Sequence, residues 1–261
     1  MSMNHHIDKE LVKERFSKAS ATYSTDAVVQ KHIAQQMNNI IRNFVPASNR
    51  NNVLEIGCGT GLFTRMYLKD NIIDRLVMND ICDNMECELS DLIGENISFM
   101  PGDAENMNFP ENQDMIVSCS AIQWFEDPIG FMERCRSKLR PSGILAISSF
   151  APDNFREISS LSSCSLKYIP VETIKNSLSK YYDIIYCSEE KMSLFFDTPE
   201  DVLRHLKRTG VNGIRKESWT RSNLRSFCSK YRELYSTDND MVTLTYNPIY
   251  IICKKKNNEE K

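Results

Sequence analysis

Residues 53–61 read Val-Leu-Glu-Ile-Gly-Cys-Gly-Thr-Gly, and no other stretch restricts the fold so strongly. A short aliphatic run closing in a glycine-rich turn reads as the first strand of an open α/β sheet, at the point where such sheets bind nucleotides. Glycine-rich strand ends also occur as plain tight turns, so the acid in this one matters. A carboxylate from Glu55 at the carboxyl edge of the strand repels a pyrophosphate and attracts an ammonium. The third glycine of the dinucleotide fingerprint is also missing, its place being taken by Leu62. An amino-acid-bearing nucleotide is therefore expected, and S-adenosylmethionine is the common ligand that fits.

With 261 residues the chain has room for one large α/β domain or two small ones, and either buries a sizeable core. Its net charge of -3 gives no overall attraction to nucleic acid or to an anionic membrane. The nine cysteines are scattered, form no C-x-x-C pair and have four histidines beside them, so they read as reduced thiols and no metal is expected. No apolar run approaches the ~20 residues of a membrane span, and the polar start Met1–Glu10 lacks the apolar core of a signal peptide. A cytoplasmic protein without a membrane partner is expected.

The first 45 residues read as helical, because Val29, Ile33, Met37, Ile40 and Phe44 recur at the spacing of one helix face. A linker rich in Pro, Ser and Asn follows at 46–52. From Val53 to Phe150 five apolar runs alternate with helical segments, which implies βαβ units and a parallel sheet. Leu139-Arg-Pro-Ser-Gly143 reads as a helix stop and turn before the fifth strand. Beyond it a loop is expected at 151–168, a short helix after Pro170, and strands at 181–186, 192–196 and 243–253. The last two enclose a helical insert opened by Thr198 as N-cap, with Pro199 in the first helical position and Asp201 in the electropositive first turn.

Asp80 follows the second strand about twenty residues after the glycine turn, where an acid commonly accepts from a ribose diol. Read alone it is better taken as a helix-capping Asp in a strand-to-helix turn; beside Glu55 the ribose reading gains. Met85 reads equally as an adenine-packing or a core residue. After the third strand, Gly102-Asp-Ala-Glu offers the Asp103 carboxylate to an adenine amino group and the Ala104 N–H to a ring nitrogen.

Three acids at the ends of three successive strands, together with the glycine turn, resemble class I S-adenosylmethionine-dependent methyltransferases over Val53–Phe150. The resemblance implies a seven-stranded, mostly parallel Rossmann-like α/β sheet, with N-terminal helices and a helical insert before the last strand. It implies that Glu55, Gly57, Cys58, Gly59 and Gly61 hold the methionine part. Asp80, Ile81 and Met85 take the ribose and adenine side, Asp103 and Ala104 the adenine, and Ser120 belongs to the methyl end, in Ser118-Cys-Ser-Ala-Ile-Gln-Trp124. Asn79 departs from the usual apolar residue. Beyond the core, Arg15-Phe-Ser-Lys-Ala-Ser-Ala-Thr-Tyr23 with Val29-Gln30, the stretch Phe196–Gly210, and Leu244-Thr-Tyr246 resemble one branch of that family, the malonyl-acyl-carrier-protein O-methyltransferases of biotin synthesis. The likeness implies Tyr23 as a lid residue over the cofactor and Leu244–Tyr246 as the opening of the final strand.

The organisation expected is then a helical lid at 1–45, a cofactor-binding core at 46–190, an insert for substrate or carrier docking at 191–241, and a final strand with a charged tail at 242–261. These parts form one structural domain, and a monomer is expected. From Leu203 to Arg232 nine basic residues face the single acid Glu217, a local charge of +8 that calls for an acidic partner. Arg204, Lys207 and Arg208 share a helix face, which reads either as a solvated face or as the site for an acyl-carrier protein carrying a malonyl group. Base-stacking aromatics are too sparse there for nucleic acid. A carboxylic acid is ionised at neutral pH and attacks a sulfonium methyl without a general base. Tyr23 and Trp124 would enclose the reaction and Gln123 would orient an oxygen; Trp124 reads equally as ordinary core, and His205 as a surface residue. The competing readings are methylation of a free small organic acid and a catalytically silent cofactor-binding protein.

Overall fold

A computed structural model describes residues 7–162, 166–211 and 220–257, the side chains of 20–26 excepted. The aliphatic runs β1 (Asn52–Ile56), β2 (Arg75–Asp80), β3 (Ile97–Pro101), β4 (Gln113–Cys119) and β5 (Leu139–Phe150) run parallel in the order β3-β2-β1-β4-β5. Next to β5 lies β9 (Pro248–Lys255), antiparallel to its neighbours, with β6 (Tyr182–Glu189) at the edge, making seven strands. Neighbouring residues of these strands bury alternately into two cores: Val53, Leu76, Met115 and Ile144 into one, Leu54, Val77, Ile116 and Leu145 into the other. Burial on both faces is why the runs are continuously apolar rather than alternating.

Helices cover both faces. On the first lie α1 (Lys9–Asp26), α2 (Val28–Phe44) and α3 (Leu62–Asp70); α5 (Pro128–Lys138) and α7 (Val171–Leu178) lie on the second, and α4 (Met85–Glu88) is a single turn after β2. Val29, Ile33 and Met37 of α2 are fully buried as its periodicity requires, whereas Phe44 is 42% exposed and lies against the ring of Tyr186. Among the described residues no helix is long and apolar enough to cross a membrane.

Three local expectations are revised. The turn at 139–143 is absorbed into β5 as an irregularity, the pairing shifting from Gln113↔Leu139 to Met115↔Ile144. The expected loop at 151–168 contains α6 (Arg156–Leu161), whose fully buried Glu157 accepts from Thr245 N at 2.9 Å and Thr245 Oγ1 at 2.6 Å. Leu244–Tyr246 does not open the final strand of the large sheet. It belongs to β8 (Val242–Tyr246), which pairs with β7 (Met192–Phe196) in a separate two-stranded ribbon, Val242 also bridging to Ser236. The break is chemical: Pro248 has no N–H to continue a ladder, and the Asn247 side chain donates to Glu189 Oε1 and to the Glu190 carbonyl at 3.0 and 2.8 Å. Between the ribbon strands stand α8 (Pro199–Arg208) and α9 (Arg221–Tyr235), with Thr198 capping α8 through the Asp201 N–H.

Candidate active site

Because β1 to β4 are parallel and in register, their carboxyl ends share one edge of the sheet, with Ile56 opposite both Asn79 and Ser118 and Asp80 opposite Pro101. The chain leaves β1 through Gly57, whose φ is +70° and whose place admits no side chain, since a Cβ there would lie 2.2 Å from that of Ala121. Gly57 N and Cys58 N both donate to the Asn79 carbonyl, at 2.8 and 2.9 Å, which folds the glycine turn down onto the end of β2. Gly59 is also left-handed, at φ +52°, and faces open space.

That space is a partly enclosed cavity along the strand ends, lined mainly by apolar surface. Of the residues expected at the cofactor, every one but Gly61 lines it, and so does Trp124. Gly61 stands outside the wall as the left-handed residue before α3, where a Cβ would run into Leu89 at 2.6 Å, so it serves packing.

Two buried carboxyls dominate the chemistry. Burial pushes the Glu55 carboxyl up to about 8, against the hydrogen bond that Thr64 Oγ1 donates to it at 2.7 Å and with the help of the Asp80 charge. Burial also raises Asp80 above the usual range, although its two oxygens accept from Gly59 N at 2.8 Å and Cys82 N at 2.9 Å. Each carboxylate oxygen has a second lone pair, so both groups keep acceptor capacity for a ligand.

The wall opposite the strand ends comes from α1 and α2, through Lys9, Val12, Phe16, Gln30 and Ala34. Lys9 Nζ lies 2.6 Å from Asp103 Oδ2 and 2.5 Å from Glu105 Oε2, and Glu105 in turn accepts from Glu126 N and Asp127 N at 2.9 and 2.8 Å. The acid turn after β3 thus ties α1 to the segment after β4. Asp103 is engaged before any ligand arrives, since Oδ2 also accepts from Asn106 Nδ2 at 2.7 Å. Phe16 meets the Trp124 ring edge-on with centroids 5.4 Å apart. Sequence reasoning had passed over Lys9 and Phe16. Their spacing with Val12 and Lys13, one side of a helix, was the available signal.

Other expected residues stand elsewhere. Gln123 does not line this cavity; its Nε2 donates to the Ser120 carbonyl at 2.6 Å and it borders a neighbouring cavity with Ser149 and Tyr168. The side chain of Tyr23 lies outside the described residues, as do Arg215, Lys216 and Glu217 of the basic segment. Arg204, Lys207 and Arg208 share the exposed face of α8, away from the cavity wall, and Arg204 is ion-paired to Asp201. His205 is not a surface residue: it is half-buried, with Nε2 2.7 Å from the Tyr246 hydroxyl.

Residues 54–147 match the family model described as a methyltransferase domain. The chain is 41% identical over 261 aligned residues to the malonyl-[acyl-carrier protein] O-methyltransferase of Bacteroides thetaiotaomicron, covering 96% of this chain and 99% of that one. The chain belongs to this methyltransferase family. It is 43% identical to the protein of the same name from Bacteroides fragilis, with 95% of the chain aligned to about half, 51%, of that longer protein. Among solved structures, a methyltransferase from Bacillus halodurans has the same fold, with a TM-score of 0.61 over 85% of this chain and 13% identity.

The cofactor is S-adenosyl-L-methionine, and the cavity fits it. A buried carboxyl stands at the end of β1 for an ammonium and another at the end of β2 for a diol, with the cavity running past both to the turn after β3. Two buried polar atoms on wall residues, Gln30 Oε1 and Trp124 Nε1, have no hydrogen-bond partner among the described residues. An unpaired buried polar group costs about 1–3 kcal/mol, which a bound ligand's polar groups would recover.

Proposed function

We propose that this chain esterifies the free carboxylate of a malonyl group carried on acyl-carrier protein, in the early steps of biotin synthesis, working in the cytoplasm as a monomer. The observation that carries the proposal is the identity of about two residues in five, over nearly the full length of both chains, with a protein named for that activity. Glu55 would hold the cofactor ammonium, the backbone of Gly57–Gly59 the methionine arm, Asp80 the ribose, and Ile81, Met85, Asp103 and Ala104 the adenine side.

When bound, S-adenosylmethionine supplies a methyl group on a sulfonium, and its transfer forms an O–CH₃ bond as the S–CH₃ bond breaks. The reacting pair loses its opposite charges on the way to ester and thioether, so a dry, weakly polar enclosure favours the transition state over the separated ions. Phe16, Trp124 and Phe125 furnish such an enclosure. No proton has to be removed, in keeping with the two described histidines, His32 beside Glu190 and His205 beside Tyr246, both off the cavity wall. Gln123, fixed on the Ser120 carbonyl, would act by holding that turn. Helix α1, strapped down by Lys9, would be the lid. Arg204, Lys207 and Arg208 would receive an acidic carrier through long-range attraction.

The test is transfer of label from methyl-labelled cofactor to malonyl-carrier protein, to malonyl-coenzyme A and to free dicarboxylic acids. Carrier-bound malonate is expected to be methylated most efficiently. Methylation of a free acid with none on the carrier-bound substrate would overturn the proposal.

A further inference from the structure

Asn79 carries an uncharged amide at the end of β2 and is 99% shielded from solvent. An uncharged amide buried there needs partners, and it has them. Nδ2 lies 2.9 Å from the Met100 carbonyl and 3.0 Å from the Gly102 carbonyl, which brackets the turn leading from β3 into Asp103 and Ala104. Two carbonyls as neighbours fix the nitrogen in that position, because the amide oxygen would face two acceptors. The backbone of the same residue works on the other side, its carbonyl accepting from both Gly57 N and Cys58 N. One residue therefore clamps the two turns that line opposite ends of the cavity.

We propose that Asn79 is a positioning residue that sets the distance between the methionine cradle after β1 and the adenine-reading turn after β3, and so governs selection of the cofactor's base. This rests on the assignment of the strand-end cavity to S-adenosylmethionine. The β2–β3 ladder ends at Asp80↔Pro101, just before the turn, and Asn79 Nδ2 also lies 3.4 Å from Met107 Sδ beyond it. Gly102 N donates to the Asp80 carbonyl at 2.8 Å, and Gly102 itself adopts φ +142°, a conformation that side-chain-bearing residues rarely take. An apolar residue at 79 would keep the backbone bonds to the glycine turn and release the side-chain bonds to Met100 and Gly102. The adenine side would then loosen while the methionine side stays in place.

The experiment is calorimetric titration of wild type and Asn79→Leu with S-adenosylhomocysteine and with its inosine counterpart, which carries an oxygen where adenine has its amino group. Thermal melts without ligand and the KM for malonyl-carrier protein accompany it. For N79L we expect a dissociation constant for S-adenosylhomocysteine raised 10-fold or more, a preference for adenine over hypoxanthine reduced several-fold, and an unchanged KM for the carrier substrate. Unchanged affinity and unchanged base preference in folded N79L would overturn the inference, as would equal weakening of both ligands. Asn79→Ser adds no bulk and keeps one donor; if N79L does not fold, N79S is expected to show the same loss of base preference to a smaller degree, and an unaltered preference in N79S would overturn the inference. Failure of the wild type to bind S-adenosylhomocysteine at all would instead remove the cofactor assignment.

Discussion

Replacing Glu55 by Gln isolates the charge at the methionine end of the cavity while keeping the shape and the bond from Thr64. Glu55 sits at about 8 against an ordinary 4.5, chiefly because of burial. The folded protein thus holds this proton more tightly than the unfolded chain does. The stability associated with it is complete below about 4.5 and is lost progressively as pH rises to about 8. At 1.36 kcal/mol per unit the whole span amounts to on the order of 5 kcal/mol. E55Q carries no such proton, so its thermal midpoint should fall less than that of wild type between pH 5 and pH 8. The same proton enters cofactor binding. At pH 7 the free enzyme holds it, and an ammonium is best met by the carboxylate, so wild type should release close to one proton per cofactor bound. Between pH 6 and pH 7 its affinity should rise about tenfold, then level off near the amine's own pKa of about 7.7–8.0. Titration calorimetry in two buffers of different ionisation enthalpy measures the release directly. E55Q should bind more weakly, by about 1.5–3 kcal/mol near pH 8, the worth of a charged hydrogen bond, and release no proton. Proton release by E55Q equal to that of wild type, or none by either, would refute the reasoning.

Asp80→Ala should weaken S-adenosylmethionine by roughly 1–3 kcal/mol in a calorimetric titration, and a folded variant of unchanged affinity would remove Asp80 from the ribose site. Lys9→Met cuts the ties from α1 to Asp103 and Glu105; cofactor dissociation measured by stopped flow should quicken on the order of 10-fold, the size of a partly shielded ion pair, and an unaltered rate would end the description of α1 as the lid. Reversing Lys207 and Arg208 together to Glu should raise the KM for malonyl-carrier protein several-fold at low ionic strength with little effect on the cofactor, because exposed charges act through long-range encounter. Identical kinetics at low salt would leave that face merely solvated.

What could be read from the chain alone was whatever local chemistry dictates. Aliphatic runs buried on two faces announce themselves without any knowledge of their neighbours, and so do a glycine turn with an acid before it and a Thr-Pro-Glu-Asp helix start. The strand ends with Glu55, Asp80 and Asp103 were therefore legible as positions, whereas the register that sets them along one edge came from the structure. Contacts between distant segments were not, because nothing in a residue's own neighbourhood states what will be folded against it. Lys9 reaches across 94 positions to Asp103, Glu157 reaches 88 positions to Thr245, and Asn79 joins turns on either side of its own strand. Those pairings turned part of an expected loop into a short helix anchored by one buried carboxylate and split an expected strand between two sheets. They also moved Gln123 off the cavity wall and Phe16 onto it. Periodicity and motif spacing are short-range properties of the backbone, whereas a site closed by a lid is decided by which surfaces remain to be buried once the sheet has formed.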